Sequence, residues 1–310
     1  MPIPPSDAAH TLVTGASGFI GGALVRKLLA DGQRVIAIER DTHVTSNKHR
    51  FIATQGDIRD LNFCRRVLAD YRVDRIYHLA SQSIVQTCAD DPLGALDVNV
   101  MGTATLLEAA RAVGLSPTVV VSTSDKVYGA APPPYTEDTP LDARNAYEVS
   151  KACQDLVSRL YFHNYGLDIR VVRAVNIYGP GDPNDTRLIP RTIQRCLRGE
   201  PPVIHAGAGD MKRSFLYVGD MVCAMQTVMY CGAAGEAYCV GSPYVLTVRD
   251  VIEEICRQTG TVFDHVTADR RTGFNEIADQ SIDDAKLRAM GWEPSTTFVT
   301  GIAQTIESYT

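Results

Sequence analysis

Thr14-Gly15-Ala16-Ser17-Gly18-Phe19-Ile20-Gly21 follows a short β-rich run and opens a helical one. Glycines at this spacing let the chain turn tightly, let the backbone approach an anion, and let a helix pack closely on the strand before it. A pyrophosphate then meets free N–H groups at the helix N-terminus. A glycine pattern alone is a weak signal; the strand–turn–helix setting around it makes the reading specific. The next strand ends at Ala37-Ile38-Glu39-Arg40-Asp41. A carboxylate about 20 residues past the glycines accepts hydrogen bonds from ribose hydroxyls, so Glu39 favours NAD, while Arg40 keeps NADP open. Asp57 and Ile58 follow Gly56, and Asp57 fits two roles: contact with an adenine amino group, or a cap on a helix starting at Leu61.

Outward from this loop, β-rich runs at 11–14, 34–38, 51–54, 75–79, 118–123 and 169–174 alternate with helical stretches at 19–30, 61–69, 92–113 and 146–165. Strands such as Thr118-Val119-Val120-Val121 are continuously apolar, the pattern of a strand buried on both faces. The fold class is therefore α/β, a doubly wound parallel Rossmann sheet with a smaller C-terminal lobe. Residues 1–174 form the dinucleotide-binding domain, 214–240 returns to it, and 175–310 is mainly the substrate-binding lobe. Gly and Pro clusters after Val175 mark loops in that lobe, with helices at 248–258 and 282–289.

The 310 residues allow one large domain and a smaller lobe. A net charge of -6 argues against a nucleic-acid or anionic-membrane partner, both of which favour a basic excess. Eight cysteines without a C-x-x-C pair fall mostly inside expected helices or strands, where free thiols behave as small hydrophobes, so neither a metal site nor a disulfide framework is expected. The opening MPIPPSDAAH is proline-rich, polar and without the apolar core of a signal peptide; a disordered N-terminus and a soluble cytoplasmic protein are expected.

Tyr147 and Lys151 are spaced i, i+4 and share one helix face. An ammonium near a phenol favours the phenolate and makes Tyr147 a usable base, while Lys151 is also placed to hold a nicotinamide ribose. The spacing alone is common by chance. It gains weight from Ser122-Thr123-Ser124-Asp125-Lys126-Val127-Tyr128-Gly129, at the carboxyl end of a strand and so facing the ligand crevice. Ser124 is placed to share a substrate hydroxyl with Tyr147, and Asp125 with Lys126 adds an acid/base pair.

These motifs, with His78-Leu79-Ala80, Asn99-Val100-Met101-Gly102-Thr103, Arg173 to Gly181 and Arg213 to Asp220, resemble the extended short-chain dehydrogenase/reductase family, the NAD-dependent epimerases and dehydratases. The resemblance covers nearly the whole chain. Ser124-Asp125-Lys126 is similar to the signature of CDP-glucose 4,6-dehydratases, and Ser81-Gln82-Ser83-Ile84-Val85 to a loop of CDP-glucose and GDP-mannose dehydratases. The implied activity is an NDP-hexose 4,6-dehydratase, with catalytic Ser124, Asp125, Lys126, Tyr147 and Lys151. Tyr147 takes the C4 hydroxyl proton, Lys126 the C5 proton, and Asp125 protonates the departing C6 hydroxyl. A 4-epimerase sharing Ser–Tyr–Lys, and an NAD(H)-sensing regulator, are the rival readings.

The resemblance also implies cofactor contacts at Gly15, Ser17, Gly18, Phe19, Ile20, Gly21, Glu39, Arg40, Asp57, Ile58, Leu79, Ala80, Ser81, Asn99, Tyr147 and Lys151. Substrate contacts follow at Ser83, Ser124, Asn176, Arg187, Arg213 and Arg271, the arginines suiting a diphosphate. Stretches 92–113 and 146–165 resemble helices of the family's dimeric four-helix bundle, so a homodimer is expected.

Overall fold

The computed structural model describes residues 10–40, 50–269 and 279–310. The expected N-terminal tail, apart from His10, and the candidate Arg271 lie outside the described residues. The first half runs β1 (His10–Thr14), α1 (Phe19–Ala30), β2 (Arg34–Glu39), β3 (Phe51–Gln55), α2 (Leu61–Asp70), β4 (Val73–His78), α3 (Val85–Asp90), α4 (Pro92–Leu96) and α5 (Gly102–Ala112). Next come β5 (Thr118–Ser124), α6 (Ala146–Tyr165), β6 (Ile169–Ala174), β7 (Asn176–Tyr178), α7 (Leu188–Leu197) and β8 (Val203–His205). The chain continues through β9 (Lys212–Tyr217), α8 (Val218–Cys231), β10 (Ala237–Val240), β11 (Val245–Thr247), α9 (Val248–Thr259), β12 (Val266–Ala268), α10 (Ala285–Arg288) and α11 (Phe298–Glu307).

Seven parallel strands pair in the order β10-β6-β5-β4-β1-β2-β3. The order runs outward from β1 to β3, then resumes with β4 on the other flank of β1. The crevice at the carboxyl ends of β1 and β4 is the topological switch point, where doubly wound sheets bind ligands. Both faces are covered, which explains the continuously apolar strands. Side chains alternate across each strand: Val119 and Val121 of β5 pack with Leu68, Leu106 and Leu107, whereas Val120 packs with Leu24, Leu28 and Met221. A separate core of Ile193, Ile204, Val251, Ile252, Ile255, Phe298 and Ile302 holds α7, β8, α9 and α11 together.

Three stretches differ from the sequence reading. Residues 92–113 are not one regular helix: a π-helical turn, Asp97–Met101, separates α4 from α5. Asn99 within it turns its amide inward to Ser150 and to the backbone of Gln82. Such turns insert a residue and recur at functional sites. Within 282–289 only Ala285–Arg288 is helical, because Ile282 bridges to Tyr135 and Asp283 N–H donates to the Tyr135 carbonyl at 2.7 Å. Stretch 214–240 divides: β10 joins β6, whereas β9 lies between β7 and β11 in a three-stranded sheet.

Candidate active site

The turn from β1 into α1 is built so tightly that Gly15 and Gly21 have no space for a side chain. Gly15 has φ +69°, and a Cβ there would lie 2.8 Å from the Ala80 nitrogen. A Cβ on Gly21 would lie 2.0 Å from the Gly15 carbonyl oxygen, so helix α1 can seat against the loop only with glycine at this position. This cradle opens into a cleft of about 1130 Å³ that continues across the ends of β4 and β5 to α6. Pockets for a single small ligand span ~300–1000 Å³, and this cleft lies just above that range.

At the end of β2, Glu39 is buried and accepts from Ser17 N–H at 2.6 Å and from the Ser17 hydroxyl. The carboxylate thus stands beside the glycine loop. Arg40, Asp57 and Ile58 line the same end. Arg59 pairs with Asp57 and holds its carboxyl below the usual range. The cap of α2 is Asp60, which accepts from Phe63 N–H at 2.9 Å; Asp57 does not cap it.

A capping box between Asn145 and Glu148 fixes the start of α6, which places Tyr147 in its first turn and Lys151 one turn on. Ser124, Asp125, Lys126, Tyr147 and Lys151 all line the cleft. Ser124 Oγ donates to Asp125 at 3.0 Å and accepts from Lys126 N–H at 3.2 Å. Lys126 Nζ lies 3.5 Å from Asp125 Oδ2 and donates to Gln280 Oε1. Burial lowers the Lys126 amine below the ordinary lysine range; Arg213 pushes the same way, while Asp125 and Glu148 oppose it.

Lys151 Nζ donates to the Ser122 carbonyl at 3.0 Å and to Gln154 Oε1 at 2.8 Å. Burial brings its pKa down to about 7. Burial also pushes Tyr147 up to about 12, against a hydrogen bond with Ser124 that lowers it. The expected stabilisation of the phenolate by Lys151 is not what governs this geometry, because the ammonium is directed at neutral oxygens of β5 and α6. Behind Lys151 runs a buried chain of hydrogen bonds from Gln154 to Thr14. Thr103 donates to the Asn99 carbonyl at 2.6 Å, so it accepts from Gln154 at 2.9 Å and from His78 Nε2 at 2.8 Å. His78, held neutral by burial at a pKa of about 3, accepts at Nδ1 from Thr14, whose oxygen receives Leu79 and Ala80 N–H.

Asn99 departs from its expected place. It is fully buried and not on the cleft wall, and its amide pins the Gln82 backbone at 2.7 and 3.0 Å. Its geometry is that of a support for the loop rather than of a group touching a ligand. Leu79, Ala80, Ser81 and Ser83 form that wall. Asn176, Arg187 and Arg213 line the far end; Asn176 donates to the Ser214 carbonyl, and Arg187 pairs with buried Asp182. Sequence reasoning missed Gln154 and Gln280. Gln154 was legible in principle as i+3 from Lys151, whereas Gln280 carried no local signal.

A parallel doubly wound sheet with Ser124, Tyr147 and Lys151 gathered at its switch-point crevice defines an extended short-chain dehydrogenase/reductase. Within that class the chain belongs to the GDP-mannose 4,6 dehydratase family, whose family model matches residues 12–305. It is 33% identical to dTDP-glucose 4,6-dehydratase 1 of Escherichia coli (strain K12), over 96% of this chain and 92% of that protein. It is 30% identical to the UDP-glucose 4-epimerase of Mycolicibacterium smegmatis, over 97% and 98% of the two chains. The crystal structure of DesIV, a dTDP-glucose 4,6-dehydratase from Streptomyces venezuelae with NAD bound, superposes with a TM-score of 0.88 at 32% identity, covering 97% and 96%.

Proposed function

We propose that this protein is an NAD-dependent NDP-hexose 4,6-dehydratase. The observation that carries this reading is the Asp125–Lys126 pair beside Ser124 and Tyr147. Oxidation and reduction at C4 need only the Ser–Tyr–Lys set. A carboxyl group and an amine 3.5 Å apart, both on the cleft, are what elimination of water across C5 and C6 adds. The glycine cradle and buried Glu39 fit a dinucleotide with a free ribose diol, hence NAD. Bound NAD would supply the acceptor for hydride from C4 and its return to C6.

The residues then divide the proton movements. Ser124 orients the C4 hydroxyl and Tyr147 removes its proton, giving a 4-keto sugar whose C5 hydrogen is acidic. Lys126, in its neutral form, takes the C5 proton while Asp125 delivers a proton to the departing C6 hydroxyl. Return of hydride to C6 needs a proton back at C5, which Lys126 supplies, and the C4 proton taken up by Tyr147 offsets the one that Asp125 gave up with the water. Asn176, Arg213 and Arg187 hold the sugar nucleotide, with Arg271 as a further diphosphate contact.

Incubating the protein with CDP-, GDP-, dTDP- and UDP-hexoses, with mass detection of water loss, tests this reading. A base-labile 4-keto product supports it. A C4 epimer without water loss would instead support the second reading, a 4-epimerase, which the Mycolicibacterium relative favours. We further propose a cytoplasmic homodimer. All eight cysteines are free thiols, and among the described residues no helix is long and apolar enough to cross a membrane. Leu93 and Met101, with Leu156 and Leu160 of α6, are exposed apolar groups suited to a helix–helix interface. A monomeric mass in sedimentation at micromolar concentration would exclude the dimer.

A further inference from the structure

We infer that Gln280 is a positioning residue for Lys126: its amide oxygen aims the amine at the cleft without adding charge beside it. The inference rests on the dehydratase reading, in which Lys126 is the C5 base. Lys126 ends a flexible four-carbon stem, and its carboxylate neighbour at 3.5 Å is too distant to fix it alone. The close acceptor is Gln280 Oε1, which comes from 154 residues further along the chain.

Gln280 is buried, and its backbone is held on both sides. Asp279 bridges to Lys212 on β9, and the Ser281 carbonyl accepts from Tyr135 N–H at 3.0 Å. A segment tied at two points thus delivers the amide to the amine. A neutral lysine has two hydrogens and one lone pair. Gln280 and Asp125 can take one hydrogen each, which leaves the lone pair for the cleft that Lys126 lines.

The choice of an amide is as informative as its position. A carboxylate at the same distance would stabilise the ammonium and keep the base protonated. Asp125 and Glu148 already pull in that direction, opposed by Arg213 and by burial. An amide oxygen accepts from either protonation state, so the contact persists when the proton leaves.

Two variants separate orientation from charge. Gln280→Glu should move the pH midpoint of water release upward by about one unit or more, so that the rate at neutral pH falls about tenfold and recovers in alkali. Reduced cofactor should accumulate, because oxidation at C4 precedes the defect. Gln280→Met should lower the plateau about tenfold with no upward shift of the midpoint. Lys126 can also be titrated without substrate, by the pH dependence of its reductive methylation read by peptide mass spectrometry; Gln280→Glu should raise that midpoint too. An unchanged Lys126 titration in Gln280→Glu, or plateaus within twofold of wild type in both variants, would overturn the inference. Failure of the wild-type protein to release water from any of the four hexose classes overturns the dehydratase reading itself, and with it a role for Gln280 in elimination.

Discussion

Two of the described lysines line the cleft, and each is held mainly by neutral oxygens, with a carboxylate no nearer than 3.5 Å for Lys126. Lys151 meets the Ser122 carbonyl and the Gln154 amide; Lys126 meets the Gln280 amide, with Asp125 further off. Uncompensated burial lowers an amine's pKa, which keeps a lysine available as a base near neutrality. Lys126→Met therefore discriminates between the two enzymatic readings. As a dehydratase the variant should still oxidise C4, accumulate reduced cofactor, and lose deuterium exchange at C5 with water release falling ~10²–10⁴-fold, the usual reach of a general base. As an epimerase it should turn over with little change in kcat. Wild-type dehydration should rise with pH through a midpoint below that of free lysine, since only the neutral amine accepts a proton. Tyr147→Phe acts earlier: reduced-cofactor absorbance on mixing with substrate should drop by ~10²–10⁴-fold, and a loss below about tenfold would mean another group takes the C4 proton.

At the scale of elements, the β1–loop–α1 unit depends on backbone contact that no side chain can share. Gly21→Ala would press a methyl group onto the Gly15 carbonyl, so the loop or the helix must shift. The expected cost is ~1–3 kcal/mol of stability, as for other overpacked sites. Because the same loop forms the cradle, NAD affinity measured by calorimetry should fall at least about tenfold; unchanged affinity would show that the loop does not carry the pyrophosphate. This unit was legible in the sequence because its chemistry is local: glycine spacing, strand and helix adjoin in eight residues. The same holds for Tyr147 and Lys151 on α6, and for Ser124 to Lys126 after β5. What escaped is set by contacts between elements. Hydrophobic periodicity reports that 92–113 is helical and half-buried, yet the π turn follows from Asn99 reaching Gln82 and Ser150. Gln280 lies 154 residues from its partner, and no spacing rule links the two.

On the scale of the whole molecule, the buried chain from Thr14 through His78, Thr103 and Gln154 joins the glycine loop of β1 to Lys151 on α6. Its members are neutral, so it fixes the lysine without supplying the charge that would keep it protonated. Lys151 consequently has a pKa of about 7 in the fold against 10.5 as an ordinary lysine. Between those values the unfolded chain binds a proton that the folded chain does not, and stability rises with pH wherever the unfolded state holds more protons. The contribution is absent below about pH 7, grows through the alkaline range, and is complete near the unfolded value. A single proton gives at most about 1.4 kcal/mol per pH unit, or roughly 2–5 °C in melting temperature for a protein of this size. Lys126 and other groups add their own pH dependence, so the informative quantity is the difference from Lys151→Met, which has no proton to lose. Between about pH 7.5 and about pH 9 the ligand-free wild type should gain on that variant with each step, by up to that amount. Parallel melting curves across the range would show that Lys151 holds its proton in the fold, and that the neutral chain behind it does not set its charge.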